Sequence, residues 1–506
     1  MEHNSFKIFY NGESFPLAEV PRATPAGFSE AITRAVATGW RISSLFGTPS
    51  GESVELICVL SSRQEGFMGI IGATVNGAFP SITSLAPQAH LFEREIAEEC
   101  NIIPEGHPWL KPVRFKRPLS PDISAGGKNM REKPLPGVMD FFRVEGEEVH
   151  EVAVGPVHAG IIEPGHFRFQ CHGEQVLHLE ISLGYQHRGI EDGLIGKPQR
   201  KTLYQMETIA GDTTVGHATA YAMVLEALGA NWAPARGEAL RGIALELERL
   251  ANHCGDLGAI AGDVAYLPTA SFCGRIRGDF LNMTALICGS RFGRGLVRPG
   301  GVSFDLDLHQ KDDLLDRLSQ AKEDLENAVF LLWDSPSVMG RLENTGYLST
   351  ETAVALGVVG PAARSCGVDL DVRRDQPFGI YRMSQIPVVT AQTGDVYART
   401  LLRWLESLKS LDFLEEQLRQ LPDGDCRKEL SAPRGNRVSV AMTEGWRGEI
   451  CHVALTDDCG RFARYKITDP SFHNWMGLAM ALRNEEISDF PLCNKSFNLS
   501  YCGFDL

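Results

Sequence analysis

A chain of 506 residues is too long for one ordinary core and predicts two to four, each able to bury a substantial apolar interior. With 49 Lys and Arg against 64 Asp and Glu the formal charge is −15, which excludes a sequence-independent grip on nucleic-acid phosphates. No apolar run reaches the roughly 18 residues a membrane span needs, and the start, MEHNSFKIFYNGESF, lacks the basic end and apolar core of an export signal, so a cytoplasmic chain with no direct membrane span is expected.

To about Phe115, a helical pattern (AGFSEAITRAVATGW), two apolar strand patterns (VELICVL and GFMGIIGATV) and a charged amphipathic stretch (LFEREIAEEC) describe a small α+β unit. Residues 111–138 are rich in Pro, Gly and charge and poor in large apolar groups, as linkers are. The chain therefore divides into a first domain over 1–115, a linker over 116–145 and a large domain over 146–506. Past the linker, HFRFQCHGEQVLHLEIS alternates apolar and polar residues about an HGEQ turn, predicting a half-buried antiparallel hairpin. Helices dominate after it. Leu240, Ile243, Leu247, Leu250 and Leu257 fall on one stripe, and LLDRLSQAKEDLENAVFLLW and DVYARTLLRWLESLKSLDFLEEQLRQL repeat the periodicity of a long-helix bundle. EICHVALTDDCGRFARYKI returns to period two about a DDCG turn, so a second small sheet is expected to cover the bundle.

The 12 cysteines are scattered from Cys58 to Cys502 with no C-x-x-C pair, which removes the commonest zinc, redox and cluster spacings and predicts reduced core thiols. Neither a strand-borne G-x-G-x-x-G nor a G-x-x-x-x-G-K-S/T occurs, so direct binding of NAD or ATP has no support.

Several stretches carry a specific likeness: GPVHAGIIEPGHFRF from Gly155, GYQHRGIEDGL from Gly184, GSRFGRGLVRPGGV from Gly289, GPAARSCGVDLDVRRDQPFGIY from Gly360, APRGNRVSV from Ala432 and ITDPSFHNW from Ile467. Together they span nearly all of 151–506 and resemble the large subunit shared by membrane-bound NiFe hydrogenases and the 49-kilodalton subunit of respiratory complex I. FPSITSLAPQAHLFEREIAEECNIIPEGHPWL resembles the 30-kilodalton subunit of complex I. The resemblance implies an α+β protein in which a small N-terminal α/β domain is fused to a mainly helical bundle domain with flanking small sheets. It further implies a peripheral-arm, electron-transfer subunit of a group 4, energy-converting, complex I-like oxidoreductase. Implied partners are a small iron–sulfur subunit carrying a 4Fe-4S cluster and antiporter-like membrane subunits. The implied location is the inner face of the cytoplasmic membrane, and the implied output is proton or ion translocation.

In hydrogenases of this kind the matching helix start carries E-R-I-C-G-I-C-x-x-x-H. Over METIAGDTTVGHATAYA, residues 206–222, Glu207, Ile209, Gly211 and His217 stay in register, while Ala210 and Thr213 take the two cysteine positions and Thr208 the arginine's. The family's D-P-C-x-x-C falls on FNLSYCGFDL, where Leu499 replaces the first cysteine and Cys502 remains as a lone thiol. A nickel–iron centre is held by four soft thiolates, which methyl and hydroxyl groups do not replace, so no metal and no cofactor is expected on this chain. The positions of the histidine and tyrosine that hold a quinone head group in complex I read Ile162 and Gly211. A quinone held by other residues, and a non-redox scaffold, stand as the alternative readings.

Four residues remain as candidates for pocket chemistry. Glu163, in the apolar and Pro/Gly-constrained IIEPGHF, is expected to be partly buried with a raised pKa and to pass protons, against the plainer reading of a turn carboxylate in solvent. Asp212 and His217 flank the old metal position as proton donors or acceptors, against a helix cap and a satisfied core histidine. Arg434 in APRG matches an arginine that reaches over the active centre in hydrogenases, although Asn436 stands where relatives often carry an acid; a surface arginine is the plainer reading. His187 and Arg188 resemble the segment that faces the iron–sulfur partner, against a plain charged helix start. The EREI stretch at 93–96 is read as a docking or ion-pair helix.

Overall fold

The computed structural model describes residues 5–119, 135–160 and 162–506. In the first unit, β1 (Lys7–Phe9), β2 (Glu13–Pro16) and β3 (Arg22–Ala23) lead into α1 (Pro25–Ala37). Thr24 fixes the start of α1, since its hydroxyl accepts the Gly27 N–H and Pro25 brings a preset φ. The strands β4 (Trp40–Ser50), β5 (Ser53–Ser62) and β6 (Met68–Val75) form a meander in a sheet of order β1-β6-β5-β4, with β3 parallel to β6. Next come β7 (Ala78–Pro80), α2 (His90–Cys100) and β8 (Ile103–Glu105), and α2 lies across β4.

The large unit opens on an antiparallel sheet of β9 (Val149–Val154), β10 (His166–His172) and β11 (Gln175–Ser182), turning after His172 as the period-two pattern predicts. Two short helices, α3 (Ile190–Leu194) and α4 (Thr202–Met206), precede the bundle helices α5 (Thr214–Gly229), α6 (Ala235–Asp263) and α7 (Leu267–Cys288). A ribbon of β12 (Val297–Arg298) and β13 (Gly301–Val302) separates these from α8 (Leu308–Trp333). The short helices α9 (Pro336–Leu342), α10 (Thr350–Leu356), α11 (Gly360–Arg364) and α12 (Val372–Asp375) then lead to α13 (Val396–Arg419). The chain finishes with β14 (Arg437–Gly445), β15 (Gly448–Thr456), β16 (Phe462–Thr468), α14 (Pro470–Ala481), α15 (Phe490–Phe497) and α16 (Tyr501–Asp505). The predicted stripe of α6 is fully internal, and α5 is buried along its whole length, as expected of a helix that is apolar all round. The fold class is α+β.

The boundary near residue 115 is a boundary in sequence rather than in packing. β2 pairs with β14, Val440 facing Glu13 and Arg437 facing Pro16, so the first unit supplies the edge strand of the last sheet, whose order is β16-β15-β14-β2. Both apolar cores also draw on both units: one joins Phe9, Phe15 and Ile57 to the bundle, the other joins Phe28 and Phe92 to Phe167 and Trp475. Of the expected linker, 120–134 lie outside the described residues, and Lys116 belongs to the first unit instead, buried and paired with Glu99 at 2.7 Å. The reason is the acidic face of α2. Glu95 and Glu99 are buried against Arg114, Lys116, Arg464 and Lys466, with Lys466 at 2.6 Å from Glu95 and Arg464 at 2.7 Å from Glu99. Unpaired charges at this depth are untenable, so the EREI helix fixes the first unit to β16. The cysteines are free thiols and most are buried, and among the described residues no helix is long and apolar enough to cross a membrane.

Candidate functional site

Residues 207–213 form a turn between α4 and α5 and become helical only at Thr214. Thr213 gives α5 no side-chain cap, and Asp212 does not cap it either; the first free N–H groups, on Val215 and Gly216, are taken at 2.7 and 3.1 Å by Glu248 of α6. Burial pushes the Glu248 carboxyl up to about 8 against the pull of those two donors, and the nearby Asp212 charge adds to the rise.

Asp212 is committed to a different partner. Its carboxylate is held bidentately by Arg447, at 2.7 and 2.8 Å, and its carbonyl accepts from Trp446 Nε1 at 3.1 Å and Asn252 Nδ2 at 2.9 Å. Burial alone would raise this carboxyl, but the Arg447 guanidinium outweighs it and holds the group below the usual carboxylate range. Trp446 and Arg447 are the two-residue turn between β14 and β15, closed by the Gly445–Gly448 pair. Gly448 has φ +131°, and a Cβ there would stand 2.8 Å from the Gly360 backbone, so only glycine seats the turn this close to α11. Arg249 of α6 anchors the turn from behind through the carbonyls of Glu444 and Gly445, and the Arg447 guanidinium stacks on Trp446 with 3.9 Å to the ring centre. Arg447 Nε donates to the carbonyl of Asn498, and Nη1 also donates to the Thr213 hydroxyl at 3.4 Å. One guanidinium thus ties the 212–213 turn to the segment that carries Leu499 and Cys502. Arg188 makes a second tie, donating to the carbonyls of Thr208 (2.6 Å), Ile209 (2.8 Å) and Cys502 (2.9 Å).

Only part of the sequence-predicted set gathers at this clamp. His217 is fully buried, its Nε2 3.1 Å from Asp469 Oδ2 and its Nδ1 3.1 Å from His452 Nε2. Glu163 is not partly buried as expected. It is exposed and accepts from Gln186 Nε2 at 2.7 Å, because the Pro164–Gly165 turn sends Phe167 inward and leaves the carboxylate outside, although close enough to raise the Cys502 thiol. Arg434 does not reach the pocket. It is exposed and donates to the carbonyls of Leu228 and Ala227, the C-terminal end of α5, a 16-residue helix whose length puts it about 24 Å from the Asp212 end. Arg447 holds the place expected for Arg434. The signal was present, for Glu449 supplies after Gly448 the acid that Asn436 fails to supply after Gly435. Arg188 is exposed, yet its three hydrogen bonds are internal, and His187 Nδ1 lies 2.8 Å from the Asp505 carbonyl. Sequence reasoning also missed Glu248, Asp469 and His452, which are ordinary in local sequence.

The four positions implied as metal ligands offer a poor donor set. Ala210 and Leu499 are buried hydrocarbon, and the Thr213 hydroxyl already donates to Asp212 at 3.0 Å. Cys502 is half-buried, and burial raises its thiol above the ordinary range with Glu163 adding to the effect, so its sulfur is protonated at neutral pH. Such a set does not fit a thiolate-held bimetallic centre.

A model of the family described as respiratory-chain NADH dehydrogenase, 49 Kd subunit, matches residues 263–433, and one described as respiratory-chain NADH dehydrogenase, 30 Kd subunit, matches residues 31–127. The carbon monoxide-induced hydrogenase of Rhodospirillum rubrum is 29% identical over 350 residues, 69% of this chain and 97% of the relative. Formate hydrogenlyase subunit 5 of Escherichia coli is 28% identical over 84% of this chain and 76% of its own length. A D-type NADH-quinone oxidoreductase subunit of Herpetosiphon aurantiacus is 30% identical over 67% of this chain and 94% of its own length. With both halves matched in one polypeptide and the Herpetosiphon relative spanned almost whole, the chain belongs to the complex I 49-kilodalton family, fused to a 30-kilodalton-type unit, and is a subunit of a multisubunit oxidoreductase.

Proposed function

We propose that this chain is the peripheral-arm, electron-transfer subunit of a membrane-bound complex related to energy-converting hydrogenases, and that it works without a nickel–iron centre. The observation that carries the reading is the donor set at the four implied ligand positions. Where the resemblance puts four sulfur ligands, the chain offers Ala210, Thr213, Leu499 and a single thiol on Cys502, and hydrogen bonds from Arg447 rather than metal bonds join the two segments. Electrons reach the pocket from a 4Fe-4S cluster in a small iron–sulfur partner, and the pocket serves a protonation step or another acceptor. Antiporter-like membrane subunits hold the assembly at the inner face of the cytoplasmic membrane and move protons or ions in response.

The test is purification of the intact complex from membranes, with metal analysis, extraction of quinones and reconstitution into vesicles. Iron in cluster amounts, nickel far below one per chain and ion movement driven by electron transfer are expected. Nickel at one per chain overturns the reading. One tightly bound quinone per complex replaces it with a quinone reductase, and a complex fully competent with both Arg447 and Asp212 substituted reduces the chain to a scaffold.

A further inference from the structure

Behind the Arg447 clamp runs a hydrogen-bonded series that no exposed group interrupts. Asp469 Oδ2 lies 3.1 Å from His217 Nε2, His217 Nδ1 lies 3.1 Å from His452 Nε2, and His452 Nδ1 lies 2.9 Å from the Tyr465 hydroxyl. All four side chains are buried. They come from four places: Asp469 from the start of α14, His217 from α5, His452 from β15 and Tyr465 from β16. The other titratable and charged groups facing the series are Arg447 from the β14–β15 turn, Tyr221 from α5 and Cys451 from β15.

Hydrogen-bond chemistry orders the protons. Asp469 caps α14 by accepting the Ser471 N–H at 2.8 Å; burial would raise its carboxyl, but the His217 hydrogen bond and the Arg447 charge hold it below the usual range, so it is an acceptor only. His217 must therefore donate from Nε2 and accept at Nδ1. His452 in turn donates from Nε2 and accepts at Nδ1, and Tyr465 donates its O–H. Every donor in the series points toward Asp469.

The ends lie in different surroundings. Asp469 abuts the Cys502 segment, for a Cβ on Gly503 would stand 2.6 Å from Asp469 Oδ2. At the other end the Tyr465 ring is 6.3 Å from that of the buried Tyr221, and both belong to the apolar core.

We propose that Asp469, His217, His452 and Tyr465 are a proton relay that carries a proton from Tyr465 to His217, beside the clamped pocket. The proposal rests on the reading that a protonation step belongs to that pocket. One proton from a solvent acid forms a new O–H on Tyr465. The original Tyr465 O–H breaks as an N–H forms at His452 Nδ1, and the His452 Nε2–H breaks as an N–H forms at His217 Nδ1. The sum is one proton taken in and held as an imidazolium on His217 against the Asp469 carboxylate, with His452 and Tyr465 neutral. No electrons move in these steps.

Two measurements on the same variants test this. In the full chain with histidine-selective 15N labelling, His217 and His452 are expected as neutral rings protonated at Nε2. Tyr465→Phe removes the donor to His452 Nδ1, so His452 is expected to become a tautomer mixture and the change to pass on to His217. A His217 spectrum unmoved by Tyr465→Phe overturns the relay. In the purified complex, clusters are reduced with dithionite while a pH-indicator dye follows proton uptake. Tyr465→Phe is expected to slow uptake by at least about tenfold without slowing cluster bleaching, with the exposed Tyr347→Phe as matched control. Uptake at the wild-type rate in Tyr465→Phe also overturns the relay. A wild-type complex that bleaches without taking up any proton overturns the reading of the pocket instead, and the spectra still decide whether the series is coupled. His452→Gln, which keeps an amide in place of the ring, serves if Tyr465→Phe folds poorly.

Discussion

Replacing Arg447 by Met keeps a long unbranched stem against Trp446 and removes the charge and all of its donors. Breaking a fully buried ion pair by deleting one partner costs about 3–5 kcal/mol. Here the Arg447 side chain is 5% exposed but that of Asp212 is 34% exposed, so water can reach the stranded carboxylate and the cost falls to about 2–3 kcal/mol. A melting temperature is the wrong readout, since cores shared between units make the global transition a poor two-state process. Hydrogen exchange read by peptide is the right one, because the clamp joins two particular segments. Protection is expected to drop about 30- to 150-fold in peptides covering 207–214 and 497–503, at 1.4 kcal/mol per tenfold, and to hold in α8 and α13. Acidity gives a second check. The folded Asp212 carboxyl is depressed, so the stability it contributes is complete above its unfolded value near 3.9 and is lost as pH falls through its folded value. The gap between wild type and Arg447→Met therefore closes on acidification below about pH 4. Unchanged exchange in both segments, or equal loosening across the bundle, refutes the clamp.

Glu248 is raised to about 8 in the folded protein while its unfolded value lies near 4.3, so the folded state binds the proton more tightly and stability falls as pH rises between those values. Glu248→Gln mimics the protonated form and is expected to flatten that slope in the hydrogen-exchange protection of peptides covering 214–229, corrected for the intrinsic pH dependence of exchange, at about pH 5 and about pH 8; an unchanged slope refutes the assignment. Arg434→Ala loses only an exposed contact to the last carbonyls of α5, so a loss of about 1 kcal/mol or less and intact electron transfer are expected, whereas a collapse of electron transfer would return Arg434 to the site. Gly503→Ala sets a methyl 2.6 Å from Asp469 Oδ2 and 2.9 Å from Ser500 Oγ, which costs about 1–3 kcal/mol and displaces Asp469 from His217. A wild-type His217 Nε2–H resonance in that variant shows that the segment yields instead.

Element by element, the features legible in the sequence are those that burial writes at short range. The α6 stripe, the hairpin turning after His172 and the apolar run of α5 are periodic because each buries one face or all faces, and His217, which the sequence leaves open between a pocket group and a satisfied core histidine, lies buried in such a helix. Glu163 shows the limit of that logic. Its apolar neighbours predict burial for the segment, but a Pro–Gly turn decides which side chains go inward, and Phe167 goes in while Glu163 stays out. Arg447 was hidden for a different reason. Its partner Asp212 is 235 residues away, and nothing local distinguishes an arginine that closes a pocket from one that caps a helix end. Both Arg434 and Arg447 precede a glycine, and only Arg434 also follows a proline, so the local pattern favours Arg434. The physical discriminator is the two-residue turn between β14 and β15, which places Arg447 but not Arg434 where its guanidinium spans Asp212 and Asn498. A long-range charge pair is thus read from the hairpin turn that carries it, and Arg-Gly in a two-residue hairpin turn is the pattern to seek in this fold.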